Sequence, residues 1–297
     1  MRILLTGGNG QLGFELRRCL AVLGEIYAPG RDILDLGSAD SIIATVRAHR
    51  PQLIVNAAAY TAVDRAESEP DLAMRINGEA PRILAEEALR LGGGLIQYST
   101  DYVFDGRGAK PYREEDPPAP LNVYGRTKLA GEAGVEFSGA AHLIFRTSWI
   151  YASRGRNFLL TILKLARERK ELTIVNDQFG APTPARLVAE ATAMALARIF
   201  PTPSVDAAAL SDRQGIYHLS AEGRASWFEF ASEILRDVAG AARVKPIPTS
   251  AYPTPAARPQ NSVLDNSKFR EQFGLSLPDW KVGLALCLEE LQVNGER

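Results

Sequence analysis

Short apolar runs alternate with amphipathic stretches over the first half of the 297-residue chain. Ile3-Leu4-Leu5, Leu53-Ile54-Val55 and Leu95-Ile96 are continuous in hydrophobicity, the pattern of strands buried on both faces of a parallel sheet. Glu25 to Ala28 and His142 to Arg146 read as two further strands. Between these runs apolar positions recur at helical spacing, first at Leu16, Leu20 and Leu23, then at Leu72, Ile76, Ile83, Leu84 and Ala88 in a helix expected over 71–91. Further helices are expected to begin near Ser38 and to run from Tyr124 through Glu132. This alternation predicts a doubly wound α/β (Rossmann) domain whose working edge is assembled from strand ends.

The pattern changes after Trp149. Asn157 to Arg169 reads as an amphipathic helix, Leu172 to Val175 as a strand, and Asn176 to Thr183 as a turn-rich link to a helix ending near Phe200. Residues 201–214 read as an exposed linker, and Ile216 to Leu219 as a short strand that can return to the main sheet. Lys245 to Pro259 holds five of the eighteen prolines and reads as a stiff surface loop ending at Arg258, which is either a loop residue or a phosphate clamp.

Composition narrows the class. The hydrophobic fraction of 46%, the charged fraction of 23% and the net charge of -1 are those of an ordinary globular protein with no general footprint for nucleic acid or acidic membrane. Cys19 and Cys287 form no disulfide framework, and His49, His142 and His218 are scattered singly, so no metal cluster is expected. The N-terminal apolar run is too short for a signal peptide and no segment approaches a membrane span, so a cytoplasmic protein is expected.

Candidate chemistry gathers at the strand ends. Gly7, Gly10 and Gly13 follow the first strand and open the first helix, where backbone N–H groups can cradle a pyrophosphate. After the second strand stands Arg31, a partner for a ribose 2′-phosphate that favours NADPH; the adjacent Asp32 leaves NADH open. Asp35 and Leu36 lie where side chains can contact adenine, with Ser38 or Asp40 capping the next helix. The small residues Ala57 to Ala59 end the third strand and admit a cofactor closely, while Asn77 reads as polar packing or a loop anchor. Thr100 and Asp101 end the fourth strand, and Thr100 is a candidate to hydrogen-bond a substrate carbonyl. Tyr124 and Lys128, four apart on one helix face, form a phenol and ammonium able to serve one reacting atom. Trp149 either stacks on a ligand or is buried.

With the glycine loop, Thr100 and Tyr124-x-x-x-Lys128 in this order, the chain resembles the extended short-chain dehydrogenases/reductases. Within them its whole length is similar to the reductases of dTDP-4-keto-6-deoxy sugars, through Val55 to Asp64, Tyr98 to Phe104, Leu121 to Glu132, Phe145 to Tyr151, Asn176 to Thr183 and Pro248 to Asn261. The resemblance implies reduction of dTDP-4-dehydro-L-rhamnose by NADPH or NADH, for cell-surface polysaccharide synthesis. Thr100, Tyr124 and Lys128 would form its catalytic set. Gly10, Gln11, Leu12, Asp35, Leu36, Ala59, Tyr60, Thr61 and Tyr98 would line the cofactor together with Tyr124 and Lys128. Thr100, Asp101 and Trp149 would meet the dTDP-sugar, with Arg258 near its diphosphate.

The resemblance also implies a smaller C-terminal substrate domain, made of about 151–181 and 223–297, beside a Rossmann domain of 1–150 and about 182–222. A homodimer is admitted. Some relatives hold magnesium through carboxylates at a dimer contact; Glu15 and Glu290 match two such positions but Arg186 occupies the third, so no metal is expected. Other readings are a reductase or epimerase of another nucleotide keto-sugar, and a non-catalytic NADP-binding regulatory subunit. Tyr102, following Asp101, stands where dehydratases of this kind carry a second acid.

Overall fold

The structure is a computed structural model that describes residues 1–202, 205–238 and 242–293. Its first half runs β1 (Arg2–Thr6), α1 (Gln11–Cys19), β2 (Glu25–Tyr27), α2 (Ala39–His49), β3 (Leu53–Asn56), α3 (Val63–Ala66), α4 (Pro70–Met74), α5 (Ala80–Arg90), β4 (Gly94–Thr100), α6 (Val123–Phe137) and β5 (Ala141–Thr147). The second half adds β6 (Ile150–Tyr151), α7 (Phe158–Glu168), β7 (Glu171–Val175), β8 (Phe179–Gly180), β9 (Thr183–Pro184), α8 (Ala185–Ile199), α9 (Ala207–Ser211) and β10 (Gly215–His218). The last elements are β11 (Ala225–Ser226), α10 (Trp227–Ile234), β12 (Arg243–Ile247), α11 (Ser267–Phe273) and α12 (Trp280–Val293).

The main sheet has the order β10-β5-β4-β3-β1-β2, and all its pairings are parallel. Its inner strands β1 and β3 carry unbroken apolar runs, Ile3-Leu4-Leu5 and Leu53-Ile54-Val55, because both faces are covered. Ile3 and Leu5 point to the face under α1 and α8, with Leu16, Leu20, Val188 and Leu196. Leu4 points to the other, with Ile42, Val46, Leu84 and Val135 of α2, α5 and α6. Strand order reverses between β1 and β3, so the loops after these two strands flank the crevice where open α/β sheets take ligands. A buried polar ladder fixes the register there: Thr6 Oγ1 donates to Asn56 Oδ1 at 2.5 Å, and Asn56 Nδ2 to Gln97 Oε1 at 2.7 Å.

A second apolar cluster joins Leu159 and Ile162 of α7, Phe230 and Ile234 of α10, and Leu284 and Leu291 of α12. β12 pairs with β7 in parallel, so the expected loop from Lys245 begins as a strand in spite of Pro246. Among the described residues, no helix is long and apolar enough to cross a membrane.

Three further expectations change. The helix expected over 71–91 is interrupted by a π-turn at Arg75–Glu79, just before Pro81, whose missing N–H cannot continue an α ladder. The helix carrying Tyr124 continues past Glu132 to Phe137. The linker of 201–214 contains α9, whose fully buried Leu210 packs beside Gly94; residues 203 and 204 lie outside the described part.

Candidate active site

The turn after β1 is built from small residues because its backbone has no room for side chains. Gly7 has φ +68°, and a Cβ there would lie 2.8 Å from Ala58 N; one at Gly13 would lie 2.0 Å from the Gly7 carbonyl oxygen. This brings the start of α1 against both strand ends. A cavity of about 260 Å3 opens above it, lined by Gly7, Gly10, Arg31, Asp35, Leu36 and Ala59. Backbone donors at a helix start, small walls and an arginine fit a phosphorylated dinucleotide. Arg31 is exposed at the lip, its Nε 3.4 Å from Asp35 Oδ1, and Ser38 caps α2 by accepting from Ser41 N at 3.3 Å.

Other expected cofactor residues stand around this cradle in different ways. Leu12 packs partly buried against the core, and Gln11 Oε1 accepts from Asn157 Nδ2 at 2.8 Å. Tyr60 and Thr61 follow β3. Asn77, presented by the π-turn, anchors that loop by accepting from Tyr60 N at 2.8 Å and donating to Tyr60 O at 3.1 Å. The Tyr60 hydroxyl donates to Glu69 Oε2 at 2.7 Å. Tyr98 turns its ring into the core, where its hydroxyl meets Thr192 Oγ1 at 2.8 Å. Its backbone carbonyl, not its side chain, faces the site: Lys128 Nζ donates to Tyr98 O at 2.6 Å.

The catalytic candidates do converge. Thr100 ends β4, and Asn122 caps α6 by accepting from Gly125 N at 2.8 Å, which puts Tyr124 in the first turn. Tyr124 stands beside Thr100; burial pushes its phenol up to about 12, opposed by the Thr100 hydroxyl and assisted by the charge of Asp101. The phenol is therefore protonated at neutral pH. Burial pushes Lys128 down to about 8 against the pull of Glu132, itself held by Arg146 through contacts of 2.9 and 2.7 Å.

Asp101 is 2% exposed and faces inward: it accepts from Thr100 Oγ1 at 3.0 Å and Ser148 Oγ at 2.9 Å. Burial pushes its carboxyl up to about 6, while the nearby hydroxyls of Ser262, Ser148 and Thr100 hold it down. Trp149, at φ 45°, stacks on Trp227 with ring centroids 3.5 Å apart. Trp227 in turn lines a cavity of about 530 Å3 with Tyr102, Phe158, Tyr252, Asp64 and Arg258. Arg258 reaches this cavity but is bound to Asp64 in a bidentate ion pair. Asp64 and Ser148 lie inside the resembling stretches Val55 to Asp64 and Phe145 to Tyr151 without an assigned role, and Trp227 lies outside them all; only the fold brings the three to the candidate residues.

The carboxylates matched to the relatives' magnesium site do not fit a metal here. Arg186 Nε donates to Glu15 Oε2 at 3.1 Å and Arg186 Nη1 pairs with Glu290 Oε1, so a guanidinium stands between the two carboxylates. Ser153 Oγ donates to the remaining Glu290 oxygen at 2.9 Å. A dication beside this fixed cation would be repelled.

A doubly wound parallel sheet with a glycine-rich first turn and a Tyr-x-x-x-Lys helix at its carboxyl edge defines the short-chain dehydrogenase/reductase class. Within that class the chain belongs to the RmlD substrate binding domain family, whose model matches residues 1–293. A dTDP-4-dehydrorhamnose reductase of Burkholderia thailandensis is 50% identical, over 98% of this chain and 99% of that one. One of Escherichia coli K12 is 48% identical, over 98% of each. Among solved structures, a dTDP-4-dehydrorhamnose reductase of Clostridium acetobutylicum superposes with a TM-score of 0.91 at 35% identity, covering 98% of this chain and all (100%) of that one. Another from Bacillus anthracis, in complex with NADP, gives a TM-score of 0.87 at 36% identity, covering 97% and 99%.

Proposed function

We propose that this chain reduces the C4 keto group of dTDP-4-dehydro-L-rhamnose to the alcohol of dTDP-L-rhamnose, with NADPH as reductant. The observation that carries the reading is the placement of Tyr124 and Lys128 one turn apart at the start of α6, behind the Asn122 cap, beside Thr100 at the carboxyl edge of the sheet. The nucleotide, when bound, supplies hydride; the chain supplies the proton and holds the reactants. Tyr124 gives its proton to the carbonyl oxygen, Thr100 polarises that oxygen, and the Lys128 ammonium stabilises the phenolate left behind. Gly7, Gly10, Gln11, Leu12, Gly13, Asp35, Leu36, Ala59, Tyr60 and Thr61 form the cofactor side, with Tyr98 contributing its carbonyl through Lys128. Arg31, exposed at the lip, favours the 2′-phosphate of NADPH while leaving NADH usable.

The dTDP-sugar is assigned to the cavity of Trp227 and Arg258, with Trp149 bracing Trp227 and Asp101 acting through Thr100. The second apolar cluster supports a substrate domain of about 151–181 and 223–297 beside a Rossmann domain of 1–150 and about 182–222. Residues 239–241 and 294–297 of that division lie outside the described part. Two unpaired cysteines are in keeping with a reducing cytoplasm.

The test follows NADPH absorbance with dTDP-4-dehydro-L-rhamnose and identifies the product. Oxidation of NADPH matched by dTDP-L-rhamnose is expected. No oxidation with any nucleotide keto-sugar contradicts the reading, and the same run with NADH settles coenzyme choice.

A further inference from the structure

Asp64 and Arg258, 194 positions apart, meet on the wall of the larger aromatic cavity. Asp64 stands in the first turn of α3 and accepts from Arg258 Nη1 at 2.6 Å, Arg258 Nη2 at 2.8 Å and Ala256 N at 3.2 Å. Arg258 Nη1 also donates to Ala256 O at 2.5 Å, curling the loop around the carboxylate. These donors form an anion nest of the kind that recognises phosphoryl oxygens. The Arg258 side chain is 17% exposed and that of Asp64 44%, so the nest is the fixed half and its occupant the freer one. The Arg258 guanidinium holds the Asp64 carboxyl below the usual carboxylate range, so the occupant is an anion at neutral pH. Around it, Phe158, Trp227 and Tyr252 offer aromatic walls for a base and Arg169 a second cation.

We propose that Asp64 is a built-in stand-in for the substrate's diphosphate, and that the nest of Arg258 and Ala256 exchanges this carboxylate for a phosphoryl oxygen when the nucleotide sugar binds. The proposal rests on the reading above that a nucleoside diphosphate sugar enters this cavity. One guanidinium fork grips one oxyanion bidentately, and a carboxylate left beside a diphosphate repels it. Asp64 must therefore let go, and its exposure gives it solvent to turn into. Asp64 then acts as an intramolecular competitor that lowers affinity for every ligand using the nest, and Arg258 is the residue competed for.

Calorimetric titration of the full chain with dTDP, NADP+ present, tests this on the native protein, Asp64→Asn, Arg258→Ala and the double variant. Asp64→Asn is expected to bind dTDP about three- to tenfold more tightly, with the KM of the nucleotide sugar falling in step. Arg258→Ala should bind about tenfold or more weakly, and adding Asp64→Asn to it should bring no gain. Asp64→Ala, which leaves no acceptor in the nest, should shift affinity in the same direction as Asp64→Asn. Equal or weaker binding by both folded Asp64 variants overturns the exchange while leaving the reductase reading intact. Failure of both variants to fold also overturns it, since the pair would then be a structural clamp. A native chain that binds no nucleoside diphosphate overturns the reading and the exchange together.

Discussion

Burial acts on the titratable groups around Thr100 in opposite senses. Lys128 is pushed down to about 8 by burial from its ordinary value of 10.5, so its charge is lost on the alkaline side of neutrality. Accordingly kcat/KM should fall as pH rises through about 8, and Lys128→Met should lower activity and remove that limb; a native profile flat to pH ~10 contradicts it. The same shift means that stability gains from pH about 8 toward 10.5, since the unfolded chain there binds the extra proton. Asp101 has the reverse sign. Its folded value of about 6 lies above 3.8, so the native state binds the extra proton and stability is lost as pH rises between those values. Asp101→Asn removes the ionisable group. Relative to the native chain it should gain up to roughly 2–3 kcal/mol from pH ~4 to ~7, read from chemical denaturation, whereas a pH-independent difference contradicts the assignment.

The elements that carry these residues depend on close approach. A methyl group at Gly7 meets Ala58 N at 2.8 Å and must be held at φ +68°, so Gly7→Ala should separate the turns after β1 and β3. We expect a loss of about 1–3 kcal/mol in stability and at least about tenfold in NADPH affinity, checked by thermal unfolding and fluorescence titration. α1, α8 and α12 are joined by Arg186, whose partner Glu15 has a side chain only 4% exposed. Arg186→Ala leaves that buried carboxylate uncompensated and should cost roughly 1–3 kcal/mol. Magnesium should leave the melting temperature of the native chain unchanged, and a rise on adding it contradicts the account of this cluster.

Across the whole molecule, what the sequence made legible was local or periodic. The buried runs of β1 and β3 identify themselves because two covered faces demand unbroken hydrophobicity, and Gly7 and Gly13 because their backbone contacts exclude side chains; β4 and β5 are as buried but interrupt the apolar run with Gln97, Ser99, His142 and Arg146. Ile216 could be recognised as a strand residue, but its pairing with Ile144 is set by packing of distant segments. The same holds for the stack of Trp149 on Trp227 and the pairing of Asp64 with Arg258. Residue identity also does not say which atom works. Tyr98 serves Lys128 through its carbonyl while its ring belongs to the core, and Asp101 turns its carboxylate inward to Thr100 and Ser148.

The central claim is that Tyr124 supplies the proton for carbonyl reduction on a scaffold that binds the dinucleotide without it. It is tested most directly by measuring kcat for dTDP-4-dehydro-L-rhamnose reduction in Tyr124→Phe, with NADPH affinity measured on the same sample. A fall of roughly 10²–10⁴-fold in kcat with NADPH affinity kept within about threefold is predicted, because only the hydroxyl is removed. A Tyr124→Phe chain that turns over at the native rate contradicts it.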